Sequence, residues 1–151
     1  MDARTVQRVV MSALDQIVVF RLTKQRYALP LSLVERIVRA VEVTPLPESP
    51  AHVLGVVDVQ GTVIPVVSLR ERLGIEPKRL SPGDFFIIAQ AFRRTVALVV
   101  DAVEGVAEHT GEEIVEAGDI LPSLESVGGL VKREDGMILV NSFEEPLCLE
   151  E

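Results

Sequence analysis

The chain has 151 residues and a formal net charge of −8, with 23 acidic and 15 basic side chains. Its hydrophobic content of 48% is enough for a packed core and excludes a disordered chain. The acidic balance and an aromatic content of 4% disfavour nucleic-acid binding, because carboxylates repel phosphates and bases need rings to stack on.

The cysteine count and the hydropathy pattern indicate the compartment. Cys148 is the only cysteine, which excludes an internal disulfide. No run of 18 uncharged apolar residues predicts a membrane span, and the N-terminus lacks a signal-peptide pattern. We therefore expect a cytoplasmic protein without direct membrane insertion.

The first half of the chain is rich in β-branched residues and predicts short strands. After a lead-in at 1–14, strands are expected at Gln16–Leu22, Arg26–Leu31, Arg36–Val41, Gly55–Val59 and Thr62–Ser68. Ser32 and Glu35 have capping-box spacing, which predicts one helical turn. Ser68 and Glu71 have the same spacing and predict a short helix that ends at Gly74.

Gln60-Gly61 is the clearest turn signal, because it separates two apolar strands by two residues. A tight hairpin places its central residues at positive φ, which favours glycine. We therefore expect the backbone to require Gly61, and also Gly55 at the start of the preceding strand.

The second half repeats the strand-rich pattern after a polar connector at 75–83. Strands are expected at Asp84–Gln90, Arg94–Val100, Val127–Lys132 and Met137–Val140. An acidic stretch at 110–122 is expected to be irregular, with one helical turn at Glu112. Asn141 and Glu144 repeat the capping-box spacing. Many short strands with few helical turns are typical of a mainly β fold of small barrels.

The chain also matches itself. A shift of 69 residues places Gln16–Ala28 on Phe85–Ala97, and a shift of about 74 places Val53–Val57 on Val127–Val131. Each half then contains the same order of strands and turns, which predicts two similar barrel halves. The alternative, a chance likeness between apolar strands, stays open at this point.

No catalytic or metal-binding constellation is evident. Ser68 has no histidine near it in sequence, and its position suits a cap. His52 and His109 lie at no metal-ligand spacing, and Cys148 has no basic neighbour. The basic residues Arg70, Arg72, Lys78 and Arg79 and the acidic residues Glu112, Glu113, Glu116 and Asp119 are expected at the surface, where the basic group could meet an acidic partner. We expect no catalysis, no metal and no cofactor.

The central block LGVVDVQGTVIPVVSLRERLG, residues 54–74, resembles the signature of the CheW family of chemotaxis coupling proteins. The proline loop at Pro45–Pro47, the segment Val99–Val103 and the hairpin at 134–140 resemble further family motifs in the same order. The resemblance covers residues 15–147 and leaves a tail at 148–151. It implies two five-stranded SH3-like barrels, roughly 15–80 and 84–147 by sequence, between which strands can be exchanged.

The resemblance also implies the partners. CheW proteins bind the cytoplasmic tip of methyl-accepting chemoreceptors and the regulatory domain of the histidine kinase CheA, without catalysis or cofactor. This implies a non-catalytic adaptor that is recruited to receptor arrays at the inner membrane. By match to the family, receptor contacts are expected at Val34, Arg36, Gln60, Val103 and Val106, and kinase contacts at Gly55 and Phe85.

Departures from the family pattern put the choice of partner in question. The family's usual Glu–Arg pair is replaced by Arg36 and Gln60, with Glu35 one place before Arg36. Asp58 stands where the family has asparagine, and Ser68 where it has aspartate. Three alternatives stay open: an adaptor of a non-flagellar chemosensory pathway, a nucleic-acid-binding SH3-like barrel, and a small hydrolase.

Overall fold

The computed structural model describes residues 16–108, 114–116, 129–144 and 146–147, with the side chains of 114–116 left aside. These residues form eleven strands and one 3-10 turn, so the fold is mainly β as the sequence predicts. The strands are β1 Gln16–Leu22, β2 Gln25–Pro30, β3 Val34–Arg39, β4 Val53–Val59, β5 Thr62–Ser68, β6 Phe85–Ala91, β7 Arg94–Val100, β8 Ala102–Glu108, β9 Ile114–Glu116, β10 Gly129–Arg133 and β11 Gly136–Val140. The 3-10 turn is Leu31–Leu33.

The chain divides into two compact units, each with its own sheet. Unit 1 comprises the described residues up to 33 and those of 103–143. Its sheet has the strand order β8-β1-β2-β11-β10-β9, and β2 and β11 run parallel. Its core contains Ile17, Val19, Ala28, Val131, Ile138 and Val140.

Unit 2 comprises residues 34–102 and the described residues after 143. Its sheet has the order β3-β6-β7-β5-β4, with β5 and β7 parallel. Its core contains Val57, Ile64, Val66, Phe86, Ile88 and Ala97. Proline interrupts β5 at Pro65, which is tolerated because the strand pairs on both sides only over part of its length.

The two sheets follow one plan, which confirms the internal duplication. Replacing β1, β2, β8, β10 and β11 by β6, β7, β3, β4 and β5 converts the first strand order into the second. Registers agree as well: Val140 pairs with Ala28 in unit 1, and Val66 pairs with Ala97 in unit 2. Each of the six core residues of unit 1 also has its counterpart in the core of unit 2. A chance likeness would not reproduce strand order, register and core positions together.

The sequence repeats and the spatial units have different boundaries, because strands are exchanged between the repeats. The hairpin β1–β2 belongs to the first repeat, yet it shares a sheet with β8, β10 and β11 from the second. The hairpin β6–β7 likewise shares a sheet with β3, β4 and β5. Each sheet is therefore built from one hairpin of one repeat and strands of the other repeat, four of them in unit 1, where β9 is the fourth, and three in unit 2.

The strand β9 accounts for the difference between six and five strands. In unit 2, Thr44 forms an isolated antiparallel bridge to Val56. In unit 1, Val115 pairs with Leu130 at the equivalent place, and the pairing extends over three residues. The sixth strand is thus a lengthened form of a contact that both units make.

The predictions of helical turns from capping-box spacing are mostly wrong. The turn after Ser32 is a 3-10 turn at Leu31–Leu33, one residue early. After Ser68 the chain makes only a hydrogen-bonded turn, in which Leu73 N donates to Leu69 O at 3.0 Å, and no helix forms. The side chain of Asn141 accepts a bond from Phe143 N at 2.8 Å, a local turn without a helix in 141–144. The predicted turn at Glu112 lies outside the described residues.

Within the described part of the chain, no helix has the length and apolar character needed to cross a membrane.

Candidate functional site

The β4–β5 hairpin forms the tight turn that Gln60-Gly61 predicts. Val59 pairs with Thr62, and the two residues between them have positive φ angles of 49° at Gln60 and 87° at Gly61. Both values suit a type I′ turn, whose twist matches that of the flanking strands. The carboxylate of Asp58 accepts a hydrogen bond from Gly61 N at 2.7 Å, so the family-atypical aspartate braces the turn. The Gln60 side chain is consequently held at an exposed hairpin tip.

A bulge in β3 places Glu35 and Arg36 beside this hairpin tip. The pairing with β6 shifts register between Val34 and Arg36, which makes Glu35 the extra residue. A bulge turns two successive side chains towards one side of the strand. Glu35, Arg36 and Gln60 therefore line the same depression, which we call the polar notch of unit 2. It has a volume of about 360 Å³ and is lined by Glu35, Arg36, Val59, Gln60, Thr62, Ile64, Ile88 and Thr95.

Hydrogen bonds inside the polar notch involve neutral donors. The amide of Gln90 donates to Glu35 Oε2 at 3.1 Å and to Thr95 Oγ1 at 2.6 Å. The guanidinium of Arg36 is exposed and makes no ion pair with any described side chain. The notch thus carries an anion and a cation on adjacent residues, neither of which is neutralised by a charged partner within the described residues.

Unit 1 has a depression at the equivalent place, which we call the charged notch. It has a volume of about 290 Å³ and is lined by Val19, Arg26, Glu104, Gly105, Val106, Ala107, Arg133, Asp135 and Ile138. Here Glu104 forms ion pairs with Arg21 and with Arg26, the latter at 3.9 Å. Arg26 also binds Asp135 at 2.8 Å, which lowers the pKa of the Asp135 carboxyl. The charges of this notch are therefore matched internally.

The predicted receptor-contact residues fall in both units. Arg36 and Gln60 meet in the polar notch, whereas Val34 precedes it on β3 and is half-buried. Val103 and Val106 lie on β8 of unit 1, where Val103 is half-buried and Val106 is 54% exposed. Val106 lines the charged notch. The sequence did not single out Ile37, which is exposed on β3 at the position equivalent to Val106; the repeat itself is the signal that identifies it.

The predicted kinase-contact residues have different environments. Gly55 is buried, with a φ of 147°, and its Cα faces the backbone of Thr44. Its direct role is therefore to let two backbone segments approach. Phe85 is half-buried at the start of β6, and the guanidinium of Arg39 lies 5.7 Å from the centre of its ring.

A broad apolar groove beside these residues was not predicted from the sequence. Its volume is about 1110 Å³, and it is lined by Ala40, Val41, Glu42, Val43, Pro45, Leu54 and residues 77–82. Val41, which is 55% exposed, contributes to its surface. The wall formed by 77–82 is fixed by Lys78, which bonds to the buried carboxylate of Asp84 at 2.9 Å.

Of the four basic residues that the sequence predicts at the surface, Arg70 is buried and the other three are exposed. Arg70 is buried, and its Nη2 contacts both carboxylate oxygens of Asp101, at 2.8 and 2.7 Å. It also donates to the backbone oxygen of Glu76 at 3.0 Å. Arg72 is largely exposed, and its guanidinium carbon lies 5.4 Å from the ring centre of Phe92. Partial desolvation of the guanidinium lowers the pKa of Arg72. Arg70 therefore acts as a core element of unit 2, which corrects the expectation for that residue.

The described residues contain no group of three or more histidine, cysteine, aspartate or glutamate side chains that could hold a metal ion. His52 is half-buried and lies near Phe92 in a small pocket of unit 2. His109 and Cys148 lie outside the described residues, as do Glu112, Glu113 and Asp119 of the acidic stretch.

Comparison with known proteins identifies the family. Residues 16–145 match the family model of the CheW-like domain. The chain belongs to the CheW family. It is 30% identical to the chemotaxis protein CheW of Rhizobium meliloti over 138 residues, which cover 90% of this chain and 89% of that protein. It is 34% identical to the probable chemotaxis protein CheW of Rhizobium etli over 110 residues, which cover 73% of this chain and 71% of that protein.

A solved structure agrees with this membership of the CheW family. The crystal structure of the scaffolding protein TtCheW from Thermoanaerobacter tengcongensis matches with a TM-score of 0.75 and 31% sequence identity. The match covers 83% of this chain and 87% of that chain. The expected family and its fold of two β units are therefore confirmed, and the protein is a CheW-type scaffold of chemotaxis signalling.

Proposed function

We propose that this protein couples the cytoplasmic tip of a methyl-accepting chemoreceptor to the regulatory domain of a CheA-type histidine kinase, without catalysing a reaction itself. The coupling would act through differential binding: a partner that contacts the scaffold more strongly in one signalling state shifts the population of that state. The protein would work in the cytoplasm, at receptor arrays on the inner membrane.

The polar notch of unit 2 is the observation that best supports a receptor-contact role for Arg36 and Gln60. The two residues that replace the family's Glu–Arg pair line one exposed depression, although 24 positions separate them in the chain. An exposed cation without a charged partner in the described residues favours a receptor surface that carries a carboxylate there.

For the kinase, we propose the side of unit 2 that contains Phe85 and the apolar groove. Arg39, at the end of the edge strand β3, pairs with Phe85 at the start of β6, and the groove begins at Ala40, directly after β3. Gly55 would act there indirectly, because it is buried and lets the Thr44 segment pair with β4 at Val56. A partly exposed aromatic ring beside an apolar groove is typical of a protein-binding surface.

A reconstitution experiment tests the function. The purified protein is titrated separately with a receptor-tip fragment and with the kinase regulatory domain from the same cell, and the affinities are measured by calorimetry. We expect both partners to bind, and a ternary complex to form when all three are mixed. Binding to only one partner, or to neither, would contradict the proposal.

Surface variants separate the two contacts. Arg36→Ala is expected to weaken only receptor binding, and Phe85→Ser only kinase binding, because the two side chains lie on different parts of unit 2. Lys24→Ala, an exposed residue in the β1–β2 turn of unit 1 and outside both proposed contacts, serves as the control for the loss of a surface positive charge.

A further inference from the structure

The duplication allows each position of unit 2 to be compared with its counterpart in unit 1. Glu35 corresponds to Glu104, Gln90 to Arg21, and Thr95 to Arg26, each 69 residues apart. The bonds correspond too: Gln90 contacts Glu35 just as Arg21 contacts Glu104. The two notches are therefore versions of one structure that differ in charge.

The two notches differ in the side chains that contact their glutamates, Glu104 in unit 1 and Glu35 in unit 2. Glu104 has two arginine partners, and the side chain of Arg26 is only 14% exposed where it fills the charged notch. Among the described residues the partner of Glu35 is one neutral amide, that of Gln90, and the short Thr95 leaves open the space that the longer Arg26 occupies in unit 1. The neutral Gln90 amide does not compensate the charge of Glu35, so Glu35 can still form the ion pairs that Glu104 already makes with Arg21 and Arg26.

We propose that the polar notch of unit 2 is a binding site for a basic side chain, an arginine or lysine of the receptor tip, which takes the place that Arg26 holds in unit 1. The cation contacts the carboxylate of Glu35, and the side-chain oxygens of Thr95 and Gln60 are acceptors for its remaining N–H groups. This inference rests on the proposed receptor coupling and specifies its chemistry.

The surroundings of the notch fit a protein partner rather than a free cation. Its wall contains the apolar residues Val59, Ile64 and Ile88 beside the polar ones. The methylene groups of an arginine or lysine side chain can pack on such a wall, which a bare cation cannot do. Apolar walls also exclude water and so strengthen an ion pair formed in the notch.

The charge of Arg36 selects among basic partners. Unit 1 has Gly105 at this position, so the positive charge of Arg36 has no counterpart there. A partner with one basic side chain aligned with Glu35 and a carboxylate aligned with Arg36 satisfies both residues, whereas two adjacent basic side chains would place like charges together.

Two variants of the full chain test the site. Thr95→Arg supplies the internal arginine that unit 1 already has, and Glu35→Gln removes the carboxylate while keeping its shape. Both are expected to weaken binding of the receptor-tip fragment by roughly fivefold. Added salt should reduce the affinity of the variants less than that of the wild type, because the ion pair that salt screens is already absent. Glu76→Gln, an exposed residue outside the notch with the same change of charge, is expected to bind as wild type does. Unchanged affinity in both notch variants would overturn the inference.

A double-mutant cycle identifies the partner's side chain. Each lysine and arginine of the receptor-tip fragment is replaced by alanine and is tested against wild type and Glu35→Gln. One replacement is expected to lose its effect in the Glu35→Gln background, since the interaction is already absent. Strict additivity for every basic residue of the fragment contradicts the site.

A small probe keeps the site testable even without a receptor. Ethylguanidinium chloride is titrated into the wild-type protein, and the amide signals of Gln90 and Thr95 are followed by NMR. Saturable shifts are expected in wild type and linear, unsaturated shifts in Glu35→Gln and Thr95→Arg. If the receptor fragment does not bind but these shifts saturate, the proposed coupling fails while the cation site stands. If wild type also responds linearly, the site itself is refuted.

Discussion

Gly55 lies so close to Thr44 that a side chain at position 55 would collide with the Thr44 carbonyl oxygen. The closeness follows from the isolated bridge between Thr44 and strand β4, in which Val56 N donates to Thr44 O at 2.9 Å. Gly55 also has a φ of 147°, a backbone conformation that other residues rarely adopt.

Gly55→Ala is therefore expected to destabilise the protein by at least about 2 kcal/mol, because the backbone must move and φ is strained as well. Urea unfolding followed by circular dichroism measures the change. Gly83→Ala is the matched control, since a Cβ there meets no atom within 4 Å and its φ is not positive. An unchanged urea midpoint in Gly55→Ala would show that the bridge to Thr44 is dispensable.

The hairpin at Gln60-Gly61 allows a second prediction about stability. Gly61→Val is expected to cost about 1 kcal/mol or more from backbone strain alone, because a Cβ at Gly61 meets nothing within 4 Å. Asp58→Ala is expected to cost about 1 kcal/mol, since Gly61 N would lose its acceptor. Asp58→Asn keeps an oxygen acceptor and should be close to wild type. If Asp58→Asn and Asp58→Ala are equally destabilised, the turn is not braced by this hydrogen bond.

The buried ion pair between Arg70 and Asp101 allows a third prediction. Asp101→Asn is expected to lower the free energy of unfolding by about 2 kcal/mol, because it removes the carboxylate charge that pairs with the buried Arg70 guanidinium. Arg79→Met removes a positive charge from an exposed side chain and is expected to change stability by less than about 0.5 kcal/mol. Thermal unfolding of both variants at equal ionic strength measures their losses of stability. Similar losses in Asp101→Asn and Arg79→Met would argue against a structural role for the Arg70–Asp101 pair.

Which features the sequence reveals depends on the distance between the residues involved. The Gln60-Gly61 hairpin is predictable because its determinants are adjacent in the chain. The duplication is also readable, since equivalent core residues such as Ala28 and Ala97 lie in matching segments. The resemblance to a family identified Arg36 and Gln60, which the structure then brings into one notch.

Features that depend on distant residues were missed. Burial of Arg70 follows from Asp101, which is 31 positions away, so the local pattern of basic residues suggested a surface cluster. Instead of the helix predicted after Ser68 the chain makes a hydrogen-bonded turn, in which Arg70 contacts Asp101 and the backbone oxygen of Glu76. The bulge at Glu35, which turns it towards Arg36, is set by the pairing of β3 with β6 and has no local signal.

The ion pair of Asp135 gives a prediction about pH. The hydrogen bond from Arg26 lowers the pKa of the Asp135 carboxyl below that of an unfolded chain. A lowered pKa in the folded state means that the contribution is present above the unfolded pKa and is lost as the pH falls through the folded pKa. Unfolding free energy should therefore decrease on acidification, and less steeply in Asp135→Asn. NMR titration of the carboxyl carbon checks the direction, and a raised pKa would contradict the pairing with Arg26.

The last prediction concerns the charge that Arg36 and Gln60 bring to the receptor surface. The family's Glu–Arg pair is neutral, whereas Arg36 with Gln60 carries one positive charge, so a matching receptor tip should offer a carboxylate there. The double change Arg36→Glu with Gln60→Arg restores a family-like pair, and we expect it to weaken binding of the native receptor tip by about 1 kcal/mol. It should also improve binding to receptors of ordinary chemotaxis clusters, since the extra positive charge that disfavours binding of those receptors is removed.

Titration of both receptor-tip fragments against wild type and the double variant measures the effect, with Arg79→Gln as a control for the same net change in charge. The opposite shifts in affinity are essential, because a general loss of folding would weaken both complexes together. Equal affinities for both fragments, with only thermal stability altered, would mean that Arg36 and Gln60 brace the β3 edge and the hairpin and do not touch the receptor. The Glu35 site would be judged separately, because its carboxylate is unchanged in the double variant.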